Sequence, residues 1–346
     1  MLFENDKEIL KKGECRMKYN YVIFNSVITD VNYKLDDDYY VICLKDLENR
    51  DDVILNHVPL HGRSKIWRRI YNYCHSRWFK NRYWDFAIDR IWYPYVFKNT
   101  FKDDKPICFV CLRYPPIGYL RYLRKKYPNC KIIKMSRDVI KIQTQTYKDY
   151  TTAGVFDLWM SFDEDDCKKY GFPHFDEFES KIDIPKEKDY PIADVFFAGK
   201  AKDRLGRLVK LYDRFESEGL KCYFYITEAK ENEKVDRKGI VYAPKQMSYV
   251  EMLKNSVNSR IILEVSQENA VGYTSRFLEA VMFNKLLITD NEYIATTKFY
   301  NPHYIQIIES ENDIDVSIIN NSENVDYGYS GEFSPVNRLH LIDSLL

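Results

Sequence analysis

Residues 261–291, IILEVSQENAVGYTSRFLEAVMFNKLLITDN, combine apolar runs and polar connections in an order that few folds accommodate. A short apolar run ends at Glu264, a polar loop follows, a helical segment begins near Ser275, and a second apolar run comes after it. Strand, loop, helix and strand at this spacing predict a parallel sheet, because parallel neighbours need a crossover between them. The same segment places Arg276 and Glu279 three residues apart, on one helix face behind free backbone amides.

That helix start has the chemistry of a phosphate site. The first amides of a helix are unpaired and its dipole is positive there, so phosphate groups bind at such ends. Arg276 adds a forked donor that suits phosphate oxygens. Glu279 can accept hydrogen bonds from the two hydroxyls of a ribose, as the acidic residue of dinucleotide folds does. The alternative is an exposed Arg–Glu pair that only stabilises the helix.

A second segment of the same type precedes it along the chain. The apolar run 194–198 ends at Gly199, and Lys200, Lys202 and Arg204 lead into another helical segment. A glycine at a strand end followed by cations also suits phosphate, although a solvated basic turn has the same composition. Since both segments follow strands of one predicted sheet, they should lie at one edge of it. Together they favour a site for a sugar nucleotide.

The chain of 346 residues is too long for one average domain. A charged, proline-containing stretch without periodicity is typical of a linker, and it separates two series of alternating strands and helices. We therefore predict an acceptor-binding unit at 1–180, a linker at 181–193, a nucleotide-binding unit at 194–324, and a tail at 325–346 that folds back on the first unit. In the first unit, strands are predicted at 19–24, 39–44, 53–55, 106–112, 130–135 and 156–162.

Charge is unevenly distributed although the formal net charge is zero. Residues 61–148 contain 21 basic and 5 acidic side chains, which suggests an anionic partner. Within them, 63–98 holds four of the five tryptophans and suits an amphipathic surface on anionic lipid. The alternative is that the aromatic side chains fill a core while the cations face water. No nucleic-acid-binding motif is visible, so nucleic acid is not an expected partner.

The remaining features concern location and metal. The polar start is unlike a signal peptide and no apolar run is long enough to span a bilayer, so a cytoplasmic protein with reduced thiols is expected. Cys108 and Cys111 lie in an apolar run without a second pair, which favours buried thiols over zinc. The acidic run 163–166 has the composition of a helix N-terminus rather than of a metal site. Neither a metal nor a cofactor is expected.

Four stretches of the chain carry a family resemblance. DVFFAGKAKDRL, VYAPKQMSYVEMLKNSVNSRIILEV and GYTSRFLEAVMFNKLLITDN resemble the C-terminal half of GT-B-fold glycosyltransferases, and FDLWMSFDEDDCKKYGF resembles the end of their first domain. The likeness covers about residues 104–310 and is greatest to bacterial enzymes of capsule, exopolysaccharide and lipopolysaccharide synthesis. It implies two Rossmann-like doubly wound domains facing across a cleft. It also implies metal-independent, inverting transfer from a nucleoside-diphosphate sugar to a glycan, and a lipid-linked oligosaccharide is the acceptor we expect.

The resemblance also implies roles for individual residues. Lys200, Arg204 and Arg276 would hold the donor diphosphate and offset the charge on the leaving group. Tyr242 would flank the base and Glu279 would bind the ribose. Glu264 would bind a sugar hydroxyl or order the loop that precedes Arg276. The other donor-site residues on this reading are Gly199, Tyr273, Thr274 and Ser275.

An inverting enzyme of this kind needs a general base in its first unit. Candidates must follow the carboxyl ends of strands, and Asp138 does so after the run 131–135. His57, His61 and Asp30 lie in predicted loops and are further candidates. A retaining enzyme would need no such base. The non-enzyme alternative is a catalytically silent GT-B-like module that binds glycans or a partner protein.

Overall fold

The computed structural model describes residues 17–24, 39–56, 65–74, 85–266 and 272–346. The strands among these residues form one sheet of five strands and one of six. Each pairing of strands is parallel. This confirms the prediction of an α/β chain with two Rossmann-like, doubly wound units, the architecture of the GT-B class.

The first sheet has the strand order β2-β1-β3-β4-β5. β1 and β3 are buried along their whole length, as expected for parallel strands covered on both faces. The sequence predicted all five strands within about three residues at either end. They are β1 (Asn20–Phe24), β2 (Val53–Asn56), β3 (Ile107–Cys111), β4 (Lys131–Ser136) and β5 (Leu158–Ser161).

The second sheet has the order β11-β10-β9-β6-β7-β8, with β6 and β9 at its centre. Two apolar layers, one on each face, pack helices against it. Its strands are β6 (Ala193–Lys200), β7 (Cys222–Thr227), β8 (Ile240–Ala243), β9 (Ser259–Glu264), β10 (Leu286–Thr289) and β11 (Ile305–Ile307).

The helices of the described residues connect and cover these strands. In chain order they are α1 (Tyr39–Cys43), α2 (Lys65–Cys74), α3 (Asp85–Val96), α4 (Ile117–Lys126), α5 (Thr144–Ala153), α6 (Glu164–Tyr170), α7 (Leu205–Ser217), α8 (Tyr249–Val257), α9 (Ser275–Met282) and α10 (Pro335–Leu345). None of them is long and apolar enough to cross a bilayer.

The prediction that the acidic run 163–166 starts a helix is confirmed. The acidic run begins α6, where the Asp163 carboxylate accepts a hydrogen bond from the Asp166 amide at 2.8 Å and caps the helix. Ser248 caps α8 in the same way through the Glu251 amide.

Residues 39–44 were predicted as a strand, and this prediction is wrong, because the segment forms helix α1. The ring of Tyr39 packs edge-on against Tyr249 of α8, with centroids 4.8 Å apart. α1 therefore lies between the two sheet units rather than in the first sheet. Short apolar runs fit a buried strand and a buried helix equally well, so tertiary packing decides between them.

The chain crosses twice between the two units. Near the end of the segment 181–193, the Ile192 amide donates to the carbonyl of Asn258, which follows α8, at 2.9 Å. After the second sheet the chain returns, and α10 packs on the first: the Tyr21 hydroxyl of β1 donates to Asp343 at 2.6 Å. The tail therefore contacts the first sheet directly.

Candidate functional site

Two arginines from separate segments meet at the carboxyl end of β6. Arg276, in the first turn of α9, donates through Nη2 to the carbonyl of Ala198. Arg204, just before α7, donates through Nε to the carbonyl of Lys200 at 3.1 Å and through Nη1 to that of Val265. The structure thus brings together the two segments that the sequence marked as phosphate-binding.

The two guanidinium groups are close enough to repel each other. Burial, and then the positive charge of Arg276, lower the pKa of Arg204 below its ordinary value. Nearby carboxylates, Asp290 first among them, act in the opposite direction. An anion bound between the arginines would relieve the repulsion, since opposite charges favour the charged form.

Gly199 makes this approach of Arg204 to the strand possible. A Cβ atom at position 199 would lie 2.9 Å from Nη2 of Arg204 and 3.1 Å from the ring of Phe197. The guanidinium carbon of Arg204 lies 5.3 Å from the centre of that ring, within the range of a cation–π interaction. Gly199 therefore leaves the space that the Arg204 side chain occupies.

Thr274 and Glu264 fix the start of α9. The Thr274 hydroxyl accepts a hydrogen bond from the Arg276 amide at 3.2 Å and donates to Oε1 of Glu264. The other oxygen of Glu264 accepts from the Thr289 hydroxyl at 2.6 Å. Burial raises the pKa of Glu264 above its ordinary value. The two oxygens of Glu264 therefore connect Thr274, just before α9, to Thr289 at the end of β10. Ordering of the loop, one of its two predicted roles, stays a prediction. Ser275 lies beside it, and its hydroxyl accepts from Nη1 of Arg276 at 3.2 Å.

Glu279 of α9 packs against α8. The side chain is fully buried, and its Oε2 accepts a hydrogen bond from the Ser256 hydroxyl of α8 at 2.9 Å. Oε1 lies 3.7 Å from Nη1 of Arg276. The helix face that carries Glu279 is turned toward α8, and its contact with a ribose stays a prediction. Glu279 therefore contacts Arg276 from the protein interior.

Lys200 and Tyr242 make contacts away from the two arginines. Nζ of Lys200 pairs with Glu228 at 2.7 Å, where both side chains are partly exposed. The Tyr242 hydroxyl accepts from the Val235 amide at 3.1 Å. β8, which ends just after Tyr242, is the edge strand and lies two strands from β6. Both residues lie at the predicted edge of the sheet, yet the described contacts place neither of them beside Arg276.

The loop before α9 reaches the first unit. A Cβ atom on Gly272, whose φ is +122°, would lie 3.6 Å from the ring of Phe162, which follows β5. The ring of Tyr273 packs against that of Tyr293 with centroids 5.1 Å apart. The residues just before α9 therefore contact both units.

The predicted bases are placed as follows. Asp138 follows β4 at the carboxyl edge of the first sheet, is exposed, and accepts a hydrogen bond from Gln143 at 3.2 Å. An exposed carboxylate at this edge can accept a proton from an acceptor hydroxyl. His57, His61 and Asp30 lie outside the described residues.

Sequence reasoning missed a buried ion pair next to Asp138. Nε of Arg137 donates to Oε2 of Glu177 at 2.9 Å, and its Nη2 donates to the Tyr39 hydroxyl at 2.6 Å. The guanidinium lies over the ring of Phe178 at 4.6 Å. Charged residues directly after a strand were the available signal, but the partner is 40 residues away in the sequence.

Comparisons with known proteins complete the description. No protein-family model matches the chain, and no curated protein is significantly similar to it. Among solved structures, TarM is similar with a TM-score of 0.44 and 11% identity, over 69% of this chain and 54% of TarM. The GtfA/B complex is similar with a TM-score of 0.40 and 11% identity, over 69% of this chain and 57% of that one. The Candida albicans trehalose-6-phosphate phosphatase N-terminal domain is similar with a TM-score of 0.40 and 10% identity, over 96% and 93%.

The chain spans little more than half of the matched TarM and GtfA/B chains. Likenesses at this level of identity and TM-score carry no argument about substrate or activity.

Proposed function

We propose that this chain is a glycosyltransferase that takes a sugar from a nucleoside-diphosphate donor. The observation that carries the proposal is the meeting of Arg276 and Arg204 at the end of β6, beside the first turn of α9. Two guanidinium groups and a helix N-terminus form a region of positive potential that matches a diphosphate. The position is also the one expected for a ligand of a parallel α/β sheet, at the carboxyl ends of its strands.

The reaction that fits these residues is an inverting displacement. The acceptor hydroxyl oxygen forms a bond to the anomeric carbon of the donor as the bond from that carbon to the diphosphate oxygen breaks. Asp138 takes the hydroxyl proton, and Arg276 and Arg204 stabilise the negative charge on the departing diphosphate. No metal is assigned a role, because two arginines and helix amides supply the positive charge.

Nucleotide binding tests the proposal most directly. Thermal unfolding should be measured with UDP, GDP, dTDP and CMP, because a ligand that binds only the folded state raises the melting temperature. We expect at least one of the diphosphates to stabilise the wild type and Arg276→Ala to abolish the shift. Arg121→Ala, at an exposed position of α4, is the matched control and should respond as the wild type does.

The results separate the alternatives. The proposal is overturned if none of the nucleotides stabilises the protein, or if Arg276→Ala responds as the control does. Release of free nucleoside diphosphate from the matching nucleotide sugar, in the presence of acceptor glycan, distinguishes an enzyme from a silent glycan-binding module. Loss of that release in Asp138→Asn, with nucleotide binding retained, would support Asp138 as the base.

We further propose that the acceptor is lipid-linked and that α2 and α3 contact the anionic membrane that carries it. Ile66 and Ile91 are 69% and 63% exposed, and Trp67 is 48% exposed. Of the nine large apolar side chains that are exposed among the described residues, six lie on these two helices. Such a concentration marks a contact surface rather than scattered surface residues.

The charges of this surface fit anionic lipid. Arg69 and Arg90 are exposed on the same two helices, and Lys98 follows α3. The rings of Trp67 and Tyr95 are nearly parallel with centroids 6.0 Å apart, which places the two helices side by side. Apolar side chains that enter the interface and cations that meet lipid phosphates bind more strongly together than either group alone.

Vesicle sedimentation tests the membrane proposal. The wild type should bind vesicles that contain phosphatidylglycerol and should bind pure phosphatidylcholine weakly. Ile66→Ser combined with Ile91→Ser should weaken binding to anionic vesicles, whereas Val241→Ser, another exposed apolar residue, should not. Equal binding by the double variant and the wild type, or no binding to either vesicle, would count against this surface.

A further inference from the structure

A carboxyl group without a partner lies where the chain leaves the first unit. Glu179 is fully buried, and neither of its carboxyl oxygens has a hydrogen-bond partner in the described structure. Its backbone amide donates to the carbonyl of Phe333 at 2.8 Å, so both connecting segments of the chain meet at this point. A buried ionised carboxylate without hydrogen bonds is strongly unfavourable, which indicates that the group is kept neutral.

Phe333, whose carbonyl accepts from the Glu179 amide, packs its ring against that of Phe277 of α9 with centroids 6.0 Å apart, so Glu179 lies in the same interior region as this helix. Burial, and then the negative charge of Glu279, raise the pKa of Glu179 well above its ordinary value. Burial also raises the pKa of Glu279. The charged and titratable groups around the two carboxyls are Arg276 and Glu279 of α9, Glu264 at the end of β9, Arg137 after β4, Glu177 beside Glu179, Tyr39 and Cys43 of α1, and Tyr329 of the tail.

The charges around Glu179 and Glu279 also favour one neutral carboxyl. The Arg137 guanidinium is paired with Glu177 through hydrogen bonds of 2.9 and 3.2 Å. Arg276 lies 3.7 Å from Glu279 and can offset one carboxylate. With one guanidinium for two buried carboxyls, a single negative charge is balanced and a second is not.

We propose that Glu179 and Glu279 hold a proton between the connecting segment and the donor helix, and that this protonated pair positions Arg276 for the donor diphosphate. The inference rests on the proposed function, because it assigns Arg276 to that ligand. Loss of the proton would leave two negative charges beside one guanidinium. Arg276 would then be drawn toward the carboxyls and away from the end of β6.

The opposite effect follows when a diphosphate binds. The ligand engages the positive charge of Arg276, so the carboxyls lose the group that favoured their ionised form and keep the proton more firmly. Proton and diphosphate therefore bind cooperatively, and the coupling must be equal in both directions. Glu179 is thus a positioning residue for the donor site, acting through Glu279 and Arg276, although it lies outside the site.

The pH dependence of ligand affinity tests this coupling. Binding of UDP and of inorganic pyrophosphate should be measured by calorimetry between about pH 6.5 and 9.5, and the slope of log Kd against pH gives the protons linked to binding. The wild type should lose affinity as the pair ionises, with a slope that approaches about tenfold in Kd for each pH unit. Glu179→Gln, which stays neutral, should keep its affinity across that range. Glu292→Gln, at an exposed position, is the matched control.

Three results bear on the coupling. The ligands themselves titrate, but that contribution is common to every variant, so only differences between variants count. A flat profile in Glu179→Gln together with a wild-type slope in Glu292→Gln supports the proposal. Equal slopes in Glu179→Gln and the wild type overturn it, and a loss of affinity at every pH would show a structural role only.

A second measurement needs no ligand. A carboxyl whose pKa is raised on folding stabilises the protein fully below its unfolded value, and that stability is lost as the pH rises through the folded value. In urea unfolding, Glu179→Gln should therefore gain stability relative to the wild type as the pH rises above about 5. Parallel curves would overturn the shared proton. If the wild type binds neither UDP nor pyrophosphate, the donor site itself fails, and the unfolding curves still decide whether the pair holds a proton.

Discussion

The hydroxyl of Tyr293 donates a hydrogen bond to Oε1 of Glu164 at 2.6 Å, and this contact joins the two sheet units. Glu164 lies in the first turn of α6, and Tyr293 lies in a 3₁₀ turn after β10. The ring of Tyr293 also packs against Tyr273, at the end of the loop before α9. The hydrogen bond lowers the pKa of Glu164 below its ordinary value. Tyr293 therefore connects the loop before α9 to the first unit.

Removal of that hydroxyl should weaken the connection between the units. Tyr293→Phe keeps the ring contact with Tyr273 and loses the hydrogen bond to Glu164. We expect a loss of about 0.5 kcal/mol in the free energy of unfolding, at the low end for a hydrogen bond because Glu164 is partly exposed. Urea denaturation measures the effect, and Tyr300→Phe, at the surface, is the control. A loss of equal size in both variants would show that the hydrogen bond between Tyr293 and Glu164 adds no stability of its own.

Thr274 should be sensitive to the loss of its hydroxyl. Thr274→Val removes the cap on the Arg276 amide and leaves the buried Glu264 without one of its two donors. A lost cap costs about 1 kcal/mol, and an unsatisfied buried acceptor costs about 1–3 kcal/mol more. We expect a total of about 2–3 kcal/mol by urea denaturation, together with weaker nucleotide binding.

Thr274→Ser is the matched variant, because it keeps the hydroxyl and removes only a methyl group. It should retain most of the stability and the binding. If Ser and Val at position 274 behave alike, the methyl group rather than the hydrogen bonds to Arg276 and Glu264 determines the effect.

Two glycines of the second unit should respond in opposite directions to alanine. A Cβ atom at Gly239 would lie 2.3 Å from the carbonyl oxygen of Cys222 and 2.9 Å from the ring of Tyr212, so the backbone of β7 would have to move. Gly239→Ala should cost about 2–3 kcal/mol. Gly206, in the first turn of α7, has nothing within 4 Å of its Cβ position, and Gly206→Ala should stabilise by about 0.5 kcal/mol. Thermal unfolding of the two variants measures both effects. Equal changes in Gly239→Ala and Gly206→Ala would contradict the close packing at Gly239.

The strands were predictable from sequence for a physical reason. Parallel strands are buried on both faces, so β3 and β9 appear as short apolar runs with breaks on either side. The meeting of Gly199, Arg204 and Arg276 was predictable too, because the carboxyl ends of parallel strands share one edge. Helix α1 was not, since its apolar run of five residues fits either type of element.

The surroundings of the site depend on contacts that sequence spacing does not determine. The spacing of Arg276 and Glu279 indicates a shared helix face, but not that Ser256 of α8 covers the lower part of it. In the sequence, Glu179 is one of several charges just before the predicted linker at 181–193. Its burial follows only from the way the two connecting segments meet at the carbonyl of Phe333. Long-range packing of this kind has no local pattern in the sequence.

Lys134 should give the protein a pH-dependent stability of known sign. The side chain is buried in β4. Its Nζ donates to the carbonyl of Met135 at 2.8 Å and lies 4.4 Å from the centre of the Tyr114 ring. Burial lowers the pKa of Lys134 from 10.5 to about 7. Between these values the unfolded chain binds a proton that the folded chain lacks, so this lysine costs the most stability below pH 7 and progressively less as the pH rises toward 10.5.

Lys134→Met removes the titration. The stability of the wild type relative to Lys134→Met should therefore rise with pH, by at most about 1.4 kcal/mol for each pH unit. Chemical denaturation from about pH 6 to 10 measures the difference. Lys125→Met, at an exposed position of α4, should run parallel to the wild type, and a parallel curve for Lys134→Met as well would show that Lys134 keeps its proton in the folded state.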